Sequence, residues 1–94
     1  MSCIYILTNV QNTVLYIGVT SDLISRVFQH RTHAVEGFTK KYNVTKFVYF
    51  EQFEDMNTAI QREKTLKKWL KNWKEELVTA VNPNWDDLWD EIIQ

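Results

Sequence analysis

Two short apolar runs open the chain. Residues 3–8 (CIYILT) and 14–19 (VLYIGV) are rich in Ile, Val, Leu and Tyr, with the polar stretch Asn9-Val10-Gln11-Asn12-Thr13 between them. Such a pair predicts a β-hairpin. With a symmetric loop, Tyr5 would lie directly opposite Tyr16 and both rings would share one face. Thr20, Ser21 and Asp22 offer helix-start chemistry for a helix over 22–33, whose apolar stripe is Leu23, Ile24, Val27 and Phe28. Residues 34–45 (AVEGFTKKYNVT) have no clear period and predict a long loop, while 46–51 (KFVYFE) predict a strand. A hairpin, a helix and then a strand suggest a three-stranded sheet with mixed strand directions.

The second half reads as helices. Asp55 can cap a helix from Met56 to about Leu70, and a further helical segment, Trp73 to Val81, follows a bend near Asn72. Asn82-Pro83-Asn84 ends it, because proline disfavours helix in the residue before it. A last helix is expected from about Asn84, with Asp86 and Asp87 in its first turn and Trp85, Leu88, Trp89 and Ile92 at helical spacing. The expected order is ββαβααα, an α/β fold in which helices flank a small mixed sheet. A chain of 94 residues has room for one core, so residues 1–94 are expected to form a single domain with an acidic C-terminal helix over 84–94.

One position breaks the pattern. On a wheel of residues 56–70, Met56, Ala59, Ile60, Leu66 and Leu70 cluster on one side, and Glu63 falls near the middle of that cluster. A charged carboxylate facing a core costs several kcal/mol, roughly, unless it is compensated. A buried ion pair with Arg or Lys would do this, and so would a metal ion. Position alone does not choose between them.

Charge adds an asymmetry. The formal net charge is −1, but residues 1–84 carry eleven bases and eight acids, and residues 85–94 carry four acids and no base. Six bases and one acid lie between Ala59 and Lys74. Lys64, Lys67, Lys68 and Lys71 lie beside the apolar stripe, either as a solvated face or as a rim that contacts phosphate, and Lys40 and Lys41 add charge in the predicted loop. The lone Cys3 excludes an internal disulfide, and no Cys/His spacing resembles a zinc site. With no leader-like segment and no long apolar run, the expected setting is cytoplasmic, without a membrane.

The candidate chemistry is dispersed along the chain. Arg26 and His30 are four apart and share a helix face, where they are either ordinary surface residues or a pair able to hold a phosphate and move a proton. Tyr5, Tyr16 and Tyr42 are by default core or boundary residues; a phenol acts as a base only where positive charge lowers its pKa.

Taken in order, these elements form a set. Cys3-Ile4-Tyr5 and Tyr16-Ile17-Gly18 are separated by ten residues, and Arg26, Glu63 and Asn82 follow. This order closely resembles the GIY-YIG nuclease superfamily over nearly the whole chain, and the stretches EGFTKKYNV, REKTLKKW and NPNWDDLWDEI are similar to its small stand-alone bacterial members. The resemblance implies hydrolysis of DNA phosphodiester bonds with one divalent cation, Mg2+ or Mn2+. It implies Glu63 as metal ligand, Arg26 as stabiliser of the charged transition state, and Tyr16 or Tyr5, with Tyr16 favoured, as the group that positions or deprotonates water. It further implies His30 in proton transfer and Asn82 as an orienting residue. Gly18, lacking a side chain, would leave room for close approach by a ligand. Two positions depart from the pattern: Cys3 replaces a glycine, and Val19 stands where excision-repair relatives carry lysine.

Two other functions fit parts of the sequence. A nucleic-acid-binding module with little or no catalysis would suit the small size and Val19, and under either reading RNA is an alternative to DNA. A protein-interaction domain could use Asp86, Asp87, Asp90 and Glu91 to dock a basic partner. A monomer or a homodimer is expected, since cutting both strands needs two copies or two visits.

Overall fold

The computed structural model describes all 94 residues. Three strands, β1 (Ser2–Thr8), β2 (Leu15–Thr20) and β3 (Lys46–Phe53), form one sheet in the order β2-β1-β3. The helices are α1 (Leu23–Arg31), α2 (Phe38–Lys41), α3 (Met56–Lys68), α4 (Lys71–Val81) and α5 (Trp89–Ile92).

Side-chain parity on β1 builds the two halves of the core. Alternate residues of a strand point to opposite faces. Ile4 and Ile6 join Ile17, Val48, Ala59, Leu66 and Val78 beneath α3 and α4. Tyr5 and Leu7 join Val27, Val44 and Phe47 on the α1 side, where Leu88, Trp89 and Ile92 of the C-terminal segment close the cluster. With both faces covered, every residue of β1 is buried. Each large aliphatic side chain so buried contributes roughly 1.5–3 kcal/mol. The register between β1 and β3 slips between Ile6 and Leu7, so that Tyr49 faces Ile6, Phe47 faces Leu7, and Val48 is an extra residue. This bulge explains why consecutive residues Val48 and Tyr49 enter the same cluster.

The sheet is antiparallel throughout, not mixed as the element order suggested. β2 and β3 do run in the same direction, but β1 lies between them, so the parallel relation never becomes a ladder. Tyr5 pairs with Gly18 and Tyr16 with Leu7, not Tyr5 with Tyr16. The Asn9 side chain shifts the turn: its Oδ1 accepts from the N–H groups of Thr13 (2.8 Å) and Val14 (3.1 Å), and Asn12 adopts φ 60°. The offset is two residues, so the two phenols still share a face, as expected.

Helix starts follow their caps. The Asp22 side chain accepts from Ser25 N–H at 3.2 Å and that of Asp55 from Thr58 N–H at 2.8 Å. Helix ends differ more. The break before α4 falls at Trp69 and Leu70, both extended with ψ near 150°, and not at Asn72. Leu70 is thereby turned out of the expected stripe and left exposed. Ile24 and Phe28 are also exposed, leaving Val27 and His30 as the buried residues of α1. Within the expected loop, residues 38–41 form a helical turn. The final helix does not begin at Asn84, because Trp85 has φ 54°, which a right-handed helix excludes; only residues 89–92 are helical. No helix is long and apolar enough to cross a membrane.

Candidate active site

Tyr5 points from the central strand toward the α1 side, and its phenol is almost entirely buried. Its ring lies directly over Gly18. A Cβ at that glycine would come within 2.3 Å of both Cζ and Oη of Tyr5. The space expected to admit a ligand is therefore filled by the tyrosine, and the glycine is required so that the phenol can lie flat against β2. Tyr16, one pleat further along β2 on the same face, has its ring centroid 6.3 Å from that of Tyr5.

His30 meets both rings from α1. Its ring centroid is 5.8 Å from Tyr5 and 5.5 Å from Tyr16. Its Nε2 is 3.1 Å from the Tyr5 hydroxyl and its Nδ1 is 3.0 Å from Thr39 Oγ1. Far from being a surface residue, His30 is buried. The register of α1 turns it onto the sheet beside Val27 while Phe28 faces solvent. Burial, reinforced by the nearby Arg26 charge, lowers the His30 pKa and favours the neutral imidazole. A neutral imidazole donates through one nitrogen and accepts through the other, so Tyr5, His30 and Thr39 form a polarised chain.

Burial also dominates at Tyr5, pushing its pKa up to about 12, with the neighbouring Tyr16 adding to the rise. The Arg26 guanidinium acts against this, and the Glu63 carboxylate acts with it. Both charges thus bear on the same phenol, in opposite senses. Arg26 Nη1 donates to Gln29 Oε1 at 3.0 Å and borders a polar cleft of about 400 Å³, lined also by Val19, Thr20, Ser25 and Met56.

Glu63 lies on α3 with its side chain 15% exposed. The helical wheel placed it correctly as inward-leaning, but no buried arginine meets it. Its one ion pair is with Lys67, one turn along, at 3.3 Å, and that lysine is half exposed. The neighbouring Arg62 instead grips Glu51 of β3 with two hydrogen bonds of 2.9 and 3.0 Å. Burial alone would raise the Glu51 pKa, but hydrogen bonds from Arg62 and Tyr49 outweigh it and leave it lowered. The arginine bridge that the sequence allowed for Glu63 thus belongs to the part-buried Glu51.

Asn82 stands apart from this cluster. Its Nδ2 donates to the carbonyls of Val48 (3.0 Å) and Asp86 (2.9 Å), and its Oδ1 accepts from Asp86 N–H at 3.0 Å. It lines a different cleft, with Tyr49, Pro83 and Leu88. Among the cations, Lys40 pairs with Glu36 at 3.0 Å, Lys41 lies over the Tyr42 ring, and Lys71 donates to the Thr13 carbonyl of the hairpin loop. Lys64 and Lys68 are exposed. Sequence reasoning missed Thr39 as the partner of His30. The spacing of Phe38 and Tyr42, four apart, was the available sign that this stretch makes a helical turn.

No cluster of three or more His, Cys, Asp or Glu side chains forms a protein cage for a metal. A lone, partly sheltered carboxylate still matches what magnesium-like ions use, namely one or two carboxylates with waters and substrate phosphate completing the shell. Glu63 fits that donor set.

Comparison with known proteins identifies the family. Residues 1–76 match the family model described as the GIY-YIG catalytic domain. The chain is 34% identical over 80 residues to a UPF0213 protein of Clostridium perfringens, covering 85% of each chain. It is 30% identical over 63 residues to a UPF0213 protein of Haloquadratum walsbyi, covering 67% of this chain and 71% of that one. The solution NMR structure of a UPF0213 protein from Bacillus halodurans has the same fold, with a TM-score of 0.58, 23% identity and 93% of each chain covered. GIY-YIG proteins are nucleases, act on nucleic acid and generally depend on a divalent metal. With the family model spanning most of the chain and both hairpin motifs on adjacent strands, this protein belongs to the GIY-YIG family.

Proposed function

We propose that this protein is a divalent-metal-dependent endonuclease that hydrolyses DNA phosphodiester bonds. The observation that carries this is the convergence of Tyr5, Tyr16 and His30 in one contact cluster, with the charges of Arg26 and Glu63 acting on the same phenol.

Glu63 would hold the cation, with Mg2+ or Mn2+ as the expected metal. Bound there, the cation supplies charge neutralisation at the phosphate and stabilisation of the leaving oxygen. Arg26 directs its guanidinium at the phosphate from the polar cleft, where it stabilises charge that develops on the non-bridging oxygens. Tyr16 positions the attacking water. The neighbouring Tyr5 suits that task less well, because its raised pKa and its bond to His30 keep its own proton in place. His30, neutral and hydrogen-bonded on both sides to Tyr5 and Thr39, holds the Tyr5 hydroxyl in a fixed orientation beside Tyr16. Val19 packs against the core cluster beneath α3 and α4 and brings no charge, and the cation bearing on Tyr5 is Arg26. Lys64, Lys67, Lys68 and Lys71 supply a salt-sensitive rim for the DNA backbone. The chain bonds of Asn82 favour an orienting role exerted through the backbone of β3, not through substrate.

The test is incubation of purified protein with flapped, branched and plain duplex DNA and Mg2+ or Mn2+. Cleavage is expected to vanish in Glu63→Ala and to fall by about 10²–10³ in Arg26→Ala. Cleavage that survives Glu63→Ala would falsify the metal role. Salt-dependent binding without any cleavage would leave a nucleic-acid-binding module.

A further inference from the structure

Two aromatic residues, Phe38 and Tyr42, lead out of the site from Tyr16 and take no part in the chemistry above. Tyr16 stacks on Phe38, with centroids 6.1 Å apart and planes 27° apart, and Phe38 meets Tyr42 at 4.8 Å. Phe38 is 46% and Tyr42 45% exposed. The turn that carries them inverts the usual arrangement: it buries a threonine and presents two rings to solvent. The cause lies in its anchors. Thr39 is held inward by its bond to His30, and its carbonyl accepts from the N–H of the fully buried Val44 at 2.8 Å. Gly37 at φ 104° and Asn43 at φ 55° reverse the chain on either side. The turn that carries the rings is therefore anchored before any ligand arrives, which lowers the entropy cost of binding. Cations accompany them: Lys41 Nζ lies over the Tyr42 ring, 5.3 Å from its centroid, and Lys40, paired with Glu36, sits on the same turn.

Exposed rings accompanied by cations match the way proteins hold single-stranded nucleic acid, where each base offers a flat face to an aromatic side chain. A paired duplex keeps those faces within its own stack. We propose that Phe38 and Tyr42 form a stacking site for an unpaired nucleobase of a DNA strand, next to the phosphate held at Arg26 and Tyr16. The placement beside a scissile phosphate rests on the nuclease function, but the stacking itself needs neither metal nor cleavage. It makes strands with unpaired nucleotides, such as flaps and single-stranded segments, the favoured substrate class.

The test is binding in EDTA of a short single-stranded oligonucleotide that carries 2-aminopurine, compared with a blunt duplex. The full chain is used as wild type, as Phe38→Leu with Tyr42→Leu, and as Tyr42→Phe, with circular dichroism and melting to verify folding. The double variant is expected to bind the single strand about tenfold or more weakly and to lose the quenching of 2-aminopurine. Duplex binding should change less than about twofold, and Tyr42→Phe should behave as wild type. Undiminished single-strand binding by the folded double variant overturns the proposal. So does an equal loss on the duplex, or an absence of quenching with wild type. Because no cleavage is involved, failure of the nuclease function with quenching intact would leave the stacking site standing.

Discussion

Gly18 and Tyr5 constrain each other, since the phenol occupies the volume that any side chain at position 18 would need. Gly18→Ala should destabilise the protein by about 1–3 kcal/mol, the usual range for overpacking. In a double-mutant cycle read by denaturant melting, combining it with Tyr5→Leu should cost less than the two single changes added. Additive effects would show that the ring can move aside. His30 carries a pH dependence of definite sign. Its folded pKa is lowered, so the unfolded chain takes up a proton more readily. Stability from this residue is complete above the unfolded value near 6.5 and declines as pH falls from there through the folded pKa. Melting curves between pH 7.5 and 5 should show this decline, and His30→Gln should flatten it. The carboxylate at 63 was legible from its place on a wheel, because a charge among core positions is rare. The burial of His30 was not. It depends on which side of α1 meets the sheet, and Phe28 and Ile24 made the opposite side look equally suited.

Among the elements, the strands and the two aspartate-capped helix starts were the most legible, because alternation and capping are local. Asp22 and Asp55 both cap as their positions suggest. Register and helix ends depend on distant partners and on single backbone angles, such as those of Asn12, Leu70 and Trp85, that composition does not reveal. The segment after α4 shows how such an element is held. Asn82 caps it with three side-chain hydrogen bonds, one of which reaches across to β3. Asn82→Ala removes all three and leaves a buried carbonyl at Val48 without that donor. A loss of about 1–3 kcal/mol is expected, with faster amide exchange over residues 86–92 as the specific sign. Unchanged exchange there would mean that the apolar contacts of Leu88 and Trp89 hold the segment without help.

At the scale of the whole molecule, the antiparallel sheet escaped prediction for a topological reason: strand order cannot be read from element order when the third strand returns to the far side of the first. The charge asymmetry of the sequence does have a structural counterpart. Acidic Asp87 bonds Arg31 of α1, whose guanidinium also lies over Trp89, while Phe28 packs on that same ring. The acidic stretch is thus partly spent inside the molecule, drawing the C-terminal segment over the sheet and leaving the lysines of α3 on another part of the surface.

The bonds from Leu88 N–H to the Phe47 carbonyl (2.7 Å) and from Asn82 to the Val48 carbonyl have one more consequence. β3 borders β1 on one side only, and strands left open on a flank recruit other chains into intermolecular ladders. The C-terminal segment occupies that flank at the bulge, where the apolar run of β3 is densest. A chain truncated after residue 83 should therefore self-associate. Light scattering at rising protein concentration should climb for the truncated chain and stay flat for the full one, making these last residues a guard against aggregation.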